Sequence, residues 1–303
     1  MQTHSVDSAY CTSDSWTILS SIEQTIKQKV EAIGTPLKDW DICINYGIKT
    51  GFNDAFIISS ETRDDILSKC QDDEERNRTA EIIRPILRGR DIKRYGYQYA
   101  DLYIIATFPS RHYDIDDYPA IKDFLLTFGI ERLEQTGLEY IIDGEKVIAR
   151  KKTSNKWYET QDSISYWDEF SKPKIIYPNM TKFLPFVYDE KGYITNQKCF
   201  IITGKHIAFL TAFLNSSLFK FCFADRFPEL QGKTRELSKI FIDEIPVPQI
   251  SDSENEEYSK LVNDIQSSYS QEQAIAIDQM IFDIYGLTPD EQAFIGFVDF
   301  GEK

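Results

Sequence analysis

The sequence predicts an α+β fold, in which a mixed, twisted β-sheet region is flanked by helices and followed by a helical segment. Three observations support this prediction. An amphipathic stretch with helical apolar spacing lies near the start, short β-rich runs separated by turn residues fill the middle, and helical patterns with acidic outer faces occupy the end. A chain of 303 residues, 42% of them hydrophobic, can bury a substantial core.

The first predicted helix covers residues 14–33, with Asp14 or Ser15 as its cap and Gly34 as its end. Its apolar stripe comprises Trp16, Leu19, Ile22, Ile26, Val30 and Ile33. Further helices are predicted at 118–137, 207–223, 254–268, 271–285 and 289–299. The helix at 207–223 is apolar nearly all round, so we expect it to be buried.

The β-strands are predicted at 41–47, 55–59, 102–108, 172–178 and within 186–203. The first two are separated by the turn-forming IKTGFND and are expected to pair, and 186–203 is expected to be a hairpin turning at Asp189–Gly192. The polar stretch 69–79 is expected to be a loop or a short exposed helix, and 149–161 an irregular loop. The alternating prolines of 242–250 predict a linker.

These elements predict four parts: a disordered or tag-like N-terminus (1–13), a connecting helix (14–40), a central domain (41–250) and an acidic helical segment (251–303). No apolar run approaches the roughly 18 residues of a membrane-spanning helix, and the N-terminus has no secretory signal pattern. The five cysteines, odd in number and without a CxxC pair, are expected to be free thiols of a cytoplasmic protein. A structural zinc site is not expected.

The formal net charge is −15, but this charge is unevenly distributed. Residues 251–303 carry a net charge of −10 and residues 1–144 a net charge of −9, whereas residues 145–250 carry +4. The overall acidity argues against nucleic-acid binding, while the distribution is compatible with a local basic site.

The densest basic cluster lies in IIRPILRGRDIKRYGYQ, residues 82–98. It contains Arg84, Arg88, Arg90, Lys93 and Arg94 against one acid, Asp91. One interpretation is a solvated basic turn that pairs with the acids at 72–75. The other is a phosphate-binding loop, because Gly89 allows close approach of the backbone and arginine binds phosphate or guanine through two hydrogen bonds.

Three other stretches combine cations with aromatic or amide side chains. They contain Arg150, Lys151, Lys152, Lys156, Trp157, Tyr158 and Gln161 in ARKKTSNKWYETQ, Lys174, Asn179, Lys182 and Phe183 in KIIYPNMTKF, and Lys49, Thr50 and Asn53 in GIKTGFNDAF. This combination suits nucleic acid, where backbone contacts, base stacking and base-edge hydrogen bonds act together. An exposed loop with Trp157 in the core, a core strand followed by a polar turn, and a plain hairpin turn are the structural alternatives.

Common enzyme signatures are not found in the sequence. There is no Pro-Pro dipeptide, and hence no Asn/Asp-Pro-Pro-Tyr/Phe motif of amino-methyltransferases, and neither GxSxG nor HExxH occurs. The tripeptide Asp189-Glu190-Lys191 fits half of a nuclease site, but in a chain with 27% charged residues it is expected by chance. We therefore expect no catalytic residue, no metal and no cofactor in this chain.

The order of these segments resembles the TaqI-like specificity domain, which forms the C-terminal half of many type IIG restriction–modification enzymes and related adenine-N6 DNA methyltransferases. The resemblance covers roughly residues 14–300. It is carried by W-x-I-L with its amphipathic helix, GIKTGFNDAFII, RPILRGRDIKRY, the YPAI helix, KWYETQ, KPKIIYP, FLNSSL and IPVP, in that order.

The resemblance implies sequence-specific recognition of double-stranded DNA through the major groove, in a restriction–modification or related phage-defence system. It also implies an N-terminal methyltransferase domain in the parent protein, which would carry S-adenosylmethionine and flip the target adenine. We expect the chain to be a fragment or a stand-alone recognition subunit. The predicted DNA-binding residues are Lys49, Asn53, Arg84, Arg88, Arg90, Lys93, Arg94, Arg150, Lys151, Lys152, Trp157, Tyr158, Gln161, Lys174, Asn179 and Lys182.

Two other hypotheses stay open. The net charge of −15 favours an acidic protein-interaction or subunit-docking module without direct DNA contact, which the basic clusters disfavour. A hydrolase or nuclease built from scattered carboxylates would require metal-dependent cleavage that is lost on substitution of Asp189. One continuous positive face would favour DNA recognition, and an evenly negative surface would favour docking.

Overall fold

The computed structural model describes residues 20–297, and its architecture is α+β, as the sequence predicts. The helices are α1 (Ser21–Ile33), α2 (Asn53–Phe56), α3 (Ser60–Ser68), α4 (Asp73–Ile82), α5 (Pro119–Leu126), α6 (Ile130–Leu133), α7 (Ile207–Leu214), α8 (Ser217–Phe223), α9 (Lys239–Ile242), α10 (Asp252–Ser267), α11 (Gln271–Ile284) and α12 (Pro289–Ile295). The strands are β1 (Thr35–Pro36), β2 (Ile42–Tyr46), β3 (Ile57–Ser59), β4 (Ile83–Leu87), β5 (Ile92–Lys93), β6 (Gly96–Tyr97), β7 (Leu102–Ile105), β8 (Glu139–Ile142), β9 (Glu145–Ile148), β10 (Lys174–Pro178), β11 (Met180–Thr181), β12 (Val187–Asp189), β13 (Ile194–Thr195), β14 (Cys199–Gly204), β15 (Glu229–Leu230), β16 (Thr234–Glu236) and β17 (Pro246–Val247).

Two four-stranded sheets form the centre of the molecule. The first has the strand order β12-β10-β14-β2 and is antiparallel throughout. The second has the order β13-β4-β7-β3, in which β13 and β4 are parallel and the other pairs antiparallel. Shorter pairings join β1 to β17, β5 to β6, β8 to β9, and β16 to both β11 and β15.

Three strands of the first sheet, β10, β12 and β14, are buried on both faces, whereas the edge strand β2 is partly exposed. Along β10, Ile175 and Tyr177 pack in a cluster with α1, α7, α8 and the C-terminal helices, whereas Ile176 packs in a second cluster with β4, β7 and β13. Along β14, Phe200 belongs to the first cluster and Ile201 to the second. Successive side chains of a strand point to opposite faces, so these nearly continuous apolar runs serve two cores. The N-terminal helix and the C-terminal helices thus share one core with the sheet.

The predicted N-terminal and C-terminal helices are confirmed. α1 begins after Ser20, whose hydroxyl accepts a hydrogen bond from the N–H of Glu23 while the Glu23 carboxylate accepts one from the N–H of Ser20. α10 and α12 begin with the same capping box. Each box satisfies two N–H groups that would otherwise lack partners, so the local sequence fixes where these helices start. The predicted cap at Asp14 or Ser15, and the part of the helix before residue 20, lie outside the described residues.

Two stretches predicted as single helices are broken. The apolar stretch 207–223 is buried as predicted, but it forms α7 and α8, because Ser216 caps a new helix. The stretch 118–137 contains α5 and α6, which are separated where Gly129 has a φ of +82°. Within residues 20–297 no single helix is long and apolar enough to cross a membrane, and α7 with the segment after it reaches that length only as a pair bent by 66°.

Both predicted hairpins are wrong. β2 pairs with β14 in the first sheet, whereas β3 pairs with β7 in the second. Within 186–203, β12 and β14 lie on opposite sides of β10, and β13 between them joins the second sheet. The prediction paired strands that are adjacent in the sequence, whereas β2, β3, β12 and β14 each pair with a strand that is not their neighbour along the chain.

The stretch predicted as a linker, 242–250, belongs to the core. Pro246–Val247 pairs with Thr35–Pro36, and the side chains of Ile245 and Val247 are fully buried. Proline prevents a long regular element, but a two-residue strand at the edge of a sheet tolerates it.

The polar stretch 69–79 contributes to α4 and is more buried than predicted. Glu75 and Thr79 are buried, and the Glu75 carboxylate accepts backbone hydrogen bonds from Gln71 at 2.7 Å and from Ala120 at 2.9 Å. These bonds join α4 to the start of α5. The exposed hairpin of β8 and β9 was not predicted.

Candidate nucleic-acid interface

The basic cluster at 84–94 forms the end of β4, a tight turn at Gly89–Asp91, and β5. Asp91 is only 4% exposed, and its carboxylate accepts a hydrogen bond from the backbone N–H of Arg88 at 2.8 Å. It also accepts bonds from Nε and Nη2 of the Arg88 guanidinium, at 3.0 and 2.8 Å. This pairing raises the pKa of Arg88. Asp91 therefore both caps the turn and fixes one of its arginines.

Arg90 and Lys93 extend from this turn into a groove of about 380 Å³. We call it the basic groove; it is lined by Gly89, Arg90, Ile92, Lys93, Pro178, Met180, Thr181, Lys182, Phe183, Lys198 and Thr234. No acidic side chain is among the residues that line it. Within the described part of the chain, none of its four cations has an ion pair or a side-chain hydrogen bond. The groove is therefore a place where an anion would meet unpaired positive charge.

Close packing of segments that are distant in sequence shapes the groove. A Cβ atom on Gly89 would lie 3.0 Å from the carbonyl oxygen of Lys198 and 3.5 Å from Cβ of Pro178. The N–H of Asn179 donates to the same Lys198 carbonyl at 2.8 Å. Glycine is thus favoured among the arginines, because the basic turn packs closely against the two other walls and a larger side chain would push them apart.

Two apolar side chains are exposed at the groove, Met180 at 50% and Phe183 at 38%. Phe183 belongs to one of the stretches singled out in the sequence, whereas Met180 and Lys198 were not predicted as site residues. The polar turn Asn196–Lys198, directly before the β-rich CFIIT, was the available signal for Lys198.

Two of the predicted DNA-binding cations lie in the core instead. Arg94 is 7% exposed, and its guanidinium donates to the Asn215 carbonyl at 2.9 and 3.2 Å and to the Tyr269 hydroxyl at 3.4 Å. Lys174 is fully buried and its Nζ lies 2.5 Å from the Asp189 carboxylate. Burial lowers the pKa of Lys174. The prediction that these side chains are available to DNA is wrong, because their donors are used inside the protein.

Arg150 is a third correction, because it is 3% exposed and its guanidinium is used by main-chain carbonyl groups and by the Phe56 ring, 5.0 Å away. Its guanidinium donates to the carbonyl oxygens of Leu133, Thr50, Glu159 and Trp157, at 2.7, 2.9, 2.7 and 2.6 Å. Burial lowers the pKa of Arg150 to about 10. Arg150 thus holds the loop 149–161, which is irregular as predicted.

The rest of that loop divides between surface and core. Lys151 and Lys152 are exposed and Trp157 is half-buried. Tyr158 and Gln161 are only 4% and 8% exposed, and the Tyr158 hydroxyl donates to a main-chain carbonyl at 2.8 Å. The burial of these two side chains contradicts their predicted availability to a ligand.

Lys49 lies between the loop and the basic groove. Its carbonyl accepts a hydrogen bond from the N–H of Gln161 at 3.0 Å, and the carbonyl of Ile48 accepts one from the N–H of Gln197 at 2.8 Å. Gln197 directly precedes the groove residue Lys198. Lys49 and its neighbour Ile48 therefore link the backbone of the loop 149–161 to the segment that precedes Lys198.

Three other predicted residues occupy distinct places. Asn53 is exposed, and its Oδ1 accepts a hydrogen bond from the Thr50 hydroxyl at 2.7 Å. Asn179 lies beside the groove, and within residues 20–297 its buried Oδ1 has no hydrogen-bond partner. Arg84 is half-buried, donates to the Gly192 carbonyl at 3.3 Å, and lines a different cavity.

The fold is similar to two solved restriction enzymes. One is the type IIG restriction endonuclease BpuSI, with a TM-score of 0.52 and 14% identity over 88% of this chain and 34% of that one. The other is the type IIL restriction–modification enzyme MmeI, in complex with DNA, with a TM-score of 0.51 and 11% identity over 87% of this chain and 36% of that one. At these identities the likeness concerns the fold, and this chain spans about a third of either enzyme.

The sequence itself gives a more specific result. No curated protein matches the chain. Residues 84–247, more than half of it, match the model of the TaqI-like C-terminal specificity domain. This matched region contains the basic turn and every residue that lines the basic groove. The chain therefore belongs to the family of TaqI-like C-terminal specificity domains.

Proposed function

We propose that this chain recognises a double-stranded DNA sequence and that the basic groove forms part of its DNA-binding face. The observation that carries the proposal is the convergence of Arg90, Lys93, Lys182 and Lys198, all without acidic partners among the described residues, in a chain of net charge −15. Cations that meet DNA phosphates release condensed counterions, which favours binding. An acidic chain that keeps carboxylates away from one groove is suited to receive a polyanion there.

The side chains of the groove suit different parts of the duplex. Arg90 is exposed and able to bind a phosphate or the O6 and N7 atoms of guanine through two hydrogen bonds. Lysines act as point charges for phosphates. Met180 and Phe183 supply apolar surface of the kind that contacts a thymine methyl group. We also assign Lys49, Lys151 and Lys152 to the proposed face, as the sequence predicts, because all three are at least partly exposed.

Membership of the specificity-domain family supports a role in a cytoplasmic restriction–modification system. We place methyl transfer, with its S-adenosylmethionine, in an N-terminal methyltransferase domain of the parent protein, and assign no cofactor to this chain. The target would be adenine N6, and the biological role defence against phage. The similarity to BpuSI and MmeI supports this arrangement, because this chain spans about a third of each enzyme.

Binding to random-sequence duplex DNA across a salt series tests the proposal. If the four groove cations neutralise four phosphates, log K falls against log salt with a slope of about −3.6. The variant Arg90→Gln/Lys93→Gln/Lys182→Gln removes three of these cations and should make the slope shallower by about 2.7. As a matched control, Lys146→Gln/Lys205→Gln/Lys260→Gln removes the same charge from exposed positions outside the groove and should leave the slope near that of the unchanged chain.

The outcomes separate the proposal from its alternative. Equal weakening by the two triple variants would mean that DNA binds elsewhere. If neither this chain nor the parent protein binds DNA at low salt, the chain is an acidic docking module, for which the −10 charge of residues 251–303 is the supporting observation. If binding follows the groove variants, selection from a random duplex library would identify the recognised sequence.

A further inference from the structure

A second cavity, which we call the aromatic cleft, lies between α4, β4, β7 and the segments around Arg111 and Trp167. Its volume is about 610 Å³, within the range of small-molecule sites. It shares no lining residue with the basic groove. Arg84 belongs to the cleft and Arg90 to the groove, and β4 with its following turn separates them.

Two arginines in the cleft retain unused hydrogen-bond donors. Arg84 donates one hydrogen bond, to the Gly192 carbonyl at 3.3 Å. Arg111 donates through Nε to the Tyr113 hydroxyl at 3.4 Å. In the described part of the chain neither side chain pairs with a carboxylate. A guanidinium carries five N–H donors in a planar fork that fits a phosphate group, so both arginines are available to an anion.

The cleft also offers a planar surface and an acceptor. The Arg111 guanidinium lies 4.0 Å from the centre of the Trp167 ring, and both side chains are partly accessible. Nucleobases stack on aromatic rings and on guanidinium planes. Glu81, which also lines the cleft, is exposed and has no partner among the described residues, so its carboxylate can accept a hydrogen bond from a base amino group.

We propose that the aromatic cleft binds a single purine nucleotide. The base stacks on the outer side of the Arg111 guanidinium, which itself lies over the Trp167 ring. Its N–H groups face Glu81, and Arg84 binds the phosphate. This site goes beyond the proposed duplex recognition, because it takes an individual nucleotide in a cavity distinct from the basic groove. A free mononucleotide and an unpaired nucleotide within a DNA strand share this chemistry, and the experiment distinguishes the two sources.

The first arm is calorimetric titration of the full chain with adenosine and guanosine 5′-monophosphates. Adenosine lacks the phosphate and ribose 5-phosphate lacks the base, so each should bind at least about tenfold more weakly than the nucleotide. Arg84→Gln should weaken the nucleotide by about tenfold. Ala80→Leu fills the cleft from α4 and should abolish binding, and Arg111→Gln serves if that variant fails to fold. Lys146→Gln, at an exposed position outside both the cleft and the groove, should leave it unchanged.

The second arm compares a fully paired duplex with the same duplex carrying one unpaired purine. A preference for the unpaired purine that Ala80→Leu removes and Lys146→Gln retains would identify the DNA strand as the source. Saturable mononucleotide binding with the variant pattern above would identify a free nucleotide. If the mononucleotides do not bind and both duplexes bind equally, or if Ala80→Leu and Arg111→Gln change nothing, the proposal is overturned. Arg90→Gln tests the basic groove separately. Weaker duplex binding in that variant concerns the proposed function, whereas mononucleotide binding to the cleft is measured without DNA.

Discussion

Asp91 holds Arg88 by three hydrogen bonds, two of them from the guanidinium, and so fixes the turn that carries Arg90 and Lys93. Asp91→Asn removes the charge that this buried site requires. We expect it to lower the free energy of unfolding by about 1–3 kcal/mol and to weaken DNA binding, measured by urea unfolding and a binding titration.

Arg90→Gln is the control, because Arg90 is exposed and has no ion pair among the described residues. Its free energy of unfolding should change by less than about 0.5 kcal/mol, while DNA binding weakens. Unchanged stability in Asp91→Asn would contradict the structural role.

Arg150 is expected to be irreplaceable by lysine. Its planar fork reaches four carbonyl oxygens, whereas an ammonium group on a flexible stem cannot reach all of them. Arg150→Lys should therefore lower the free energy of unfolding by about 3 kcal/mol and make the loop 149–161 more sensitive to protease. Limited proteolysis with mass spectrometry checks the site of cleavage. Lys151→Gln, at the exposed neighbouring position, should show neither effect.

The buried pair of Lys174 and Asp189 predicts a non-additive result. Lys174→Met alone leaves a carboxylate buried without its cation and should destabilise the fold by about 3–5 kcal/mol. Adding Asp189→Asn removes the uncompensated charge and should restore part of that loss. The restoration is incomplete, because the Asp189 carboxylate also accepts backbone hydrogen bonds from Lys191 and Tyr193. Chemical unfolding of both variants measures the difference; a double variant less stable than the single one would refute the assignment.

Asp278 predicts a pH dependence of stability. It is 3% exposed, and its carboxylate accepts hydrogen bonds from the N–H and hydroxyl of Ser217, at 2.9 and 2.5 Å. Burial raises the pKa of Asp278, so the folded chain binds this proton more tightly than the unfolded chain. The stabilisation is fully present below the unfolded pKa, about 3.9, and is lost as the pH rises through the higher folded value.

The matched variant for this prediction is Asp278→Asn, which keeps the shape but does not titrate. The free energy of unfolding of the unchanged chain should fall relative to the variant as the pH is raised from about 4 towards 7. Unfolding curves at a series of pH values measure this difference. A difference that stays constant across the series would show that Asp278 does not titrate in this range.

The predictable features of this molecule are the local ones. Capping residues such as Ser251 fix helix starts through bonds to residues three positions away. Strand pairing is not local. The hairpin prediction for 186–203 failed because β10 separates β12 from β14, and the one for 41–59 failed because β2 and β3 belong to different sheets.

The difference between local and long-range contacts also explains which residues of the site could be predicted. Arg90 and Arg94 belong to one basic cluster, but the carbonyl that binds Arg94 lies 121 residues away, at Asn215. No pattern within the cluster distinguishes the exposed arginine from the buried one. The sequence indicated the basic turn. Lys198 was not predicted, because only tertiary packing brings it beside that turn.

The pairing of β1 with β17 has a consequence for all of the chain between them, residues 37–245. Thr35 lies opposite Val247, so the chain leaves and re-enters the same short ladder before and after both sheets and the basic groove. The chain between these two strands therefore starts and ends at one two-stranded pairing, with α1 preceding β1 and α10 following β17. Under the proposed function, loops between these two strands that differ in length or charge would change the DNA sequence recognised and leave the pairing of β1 with β17 in place.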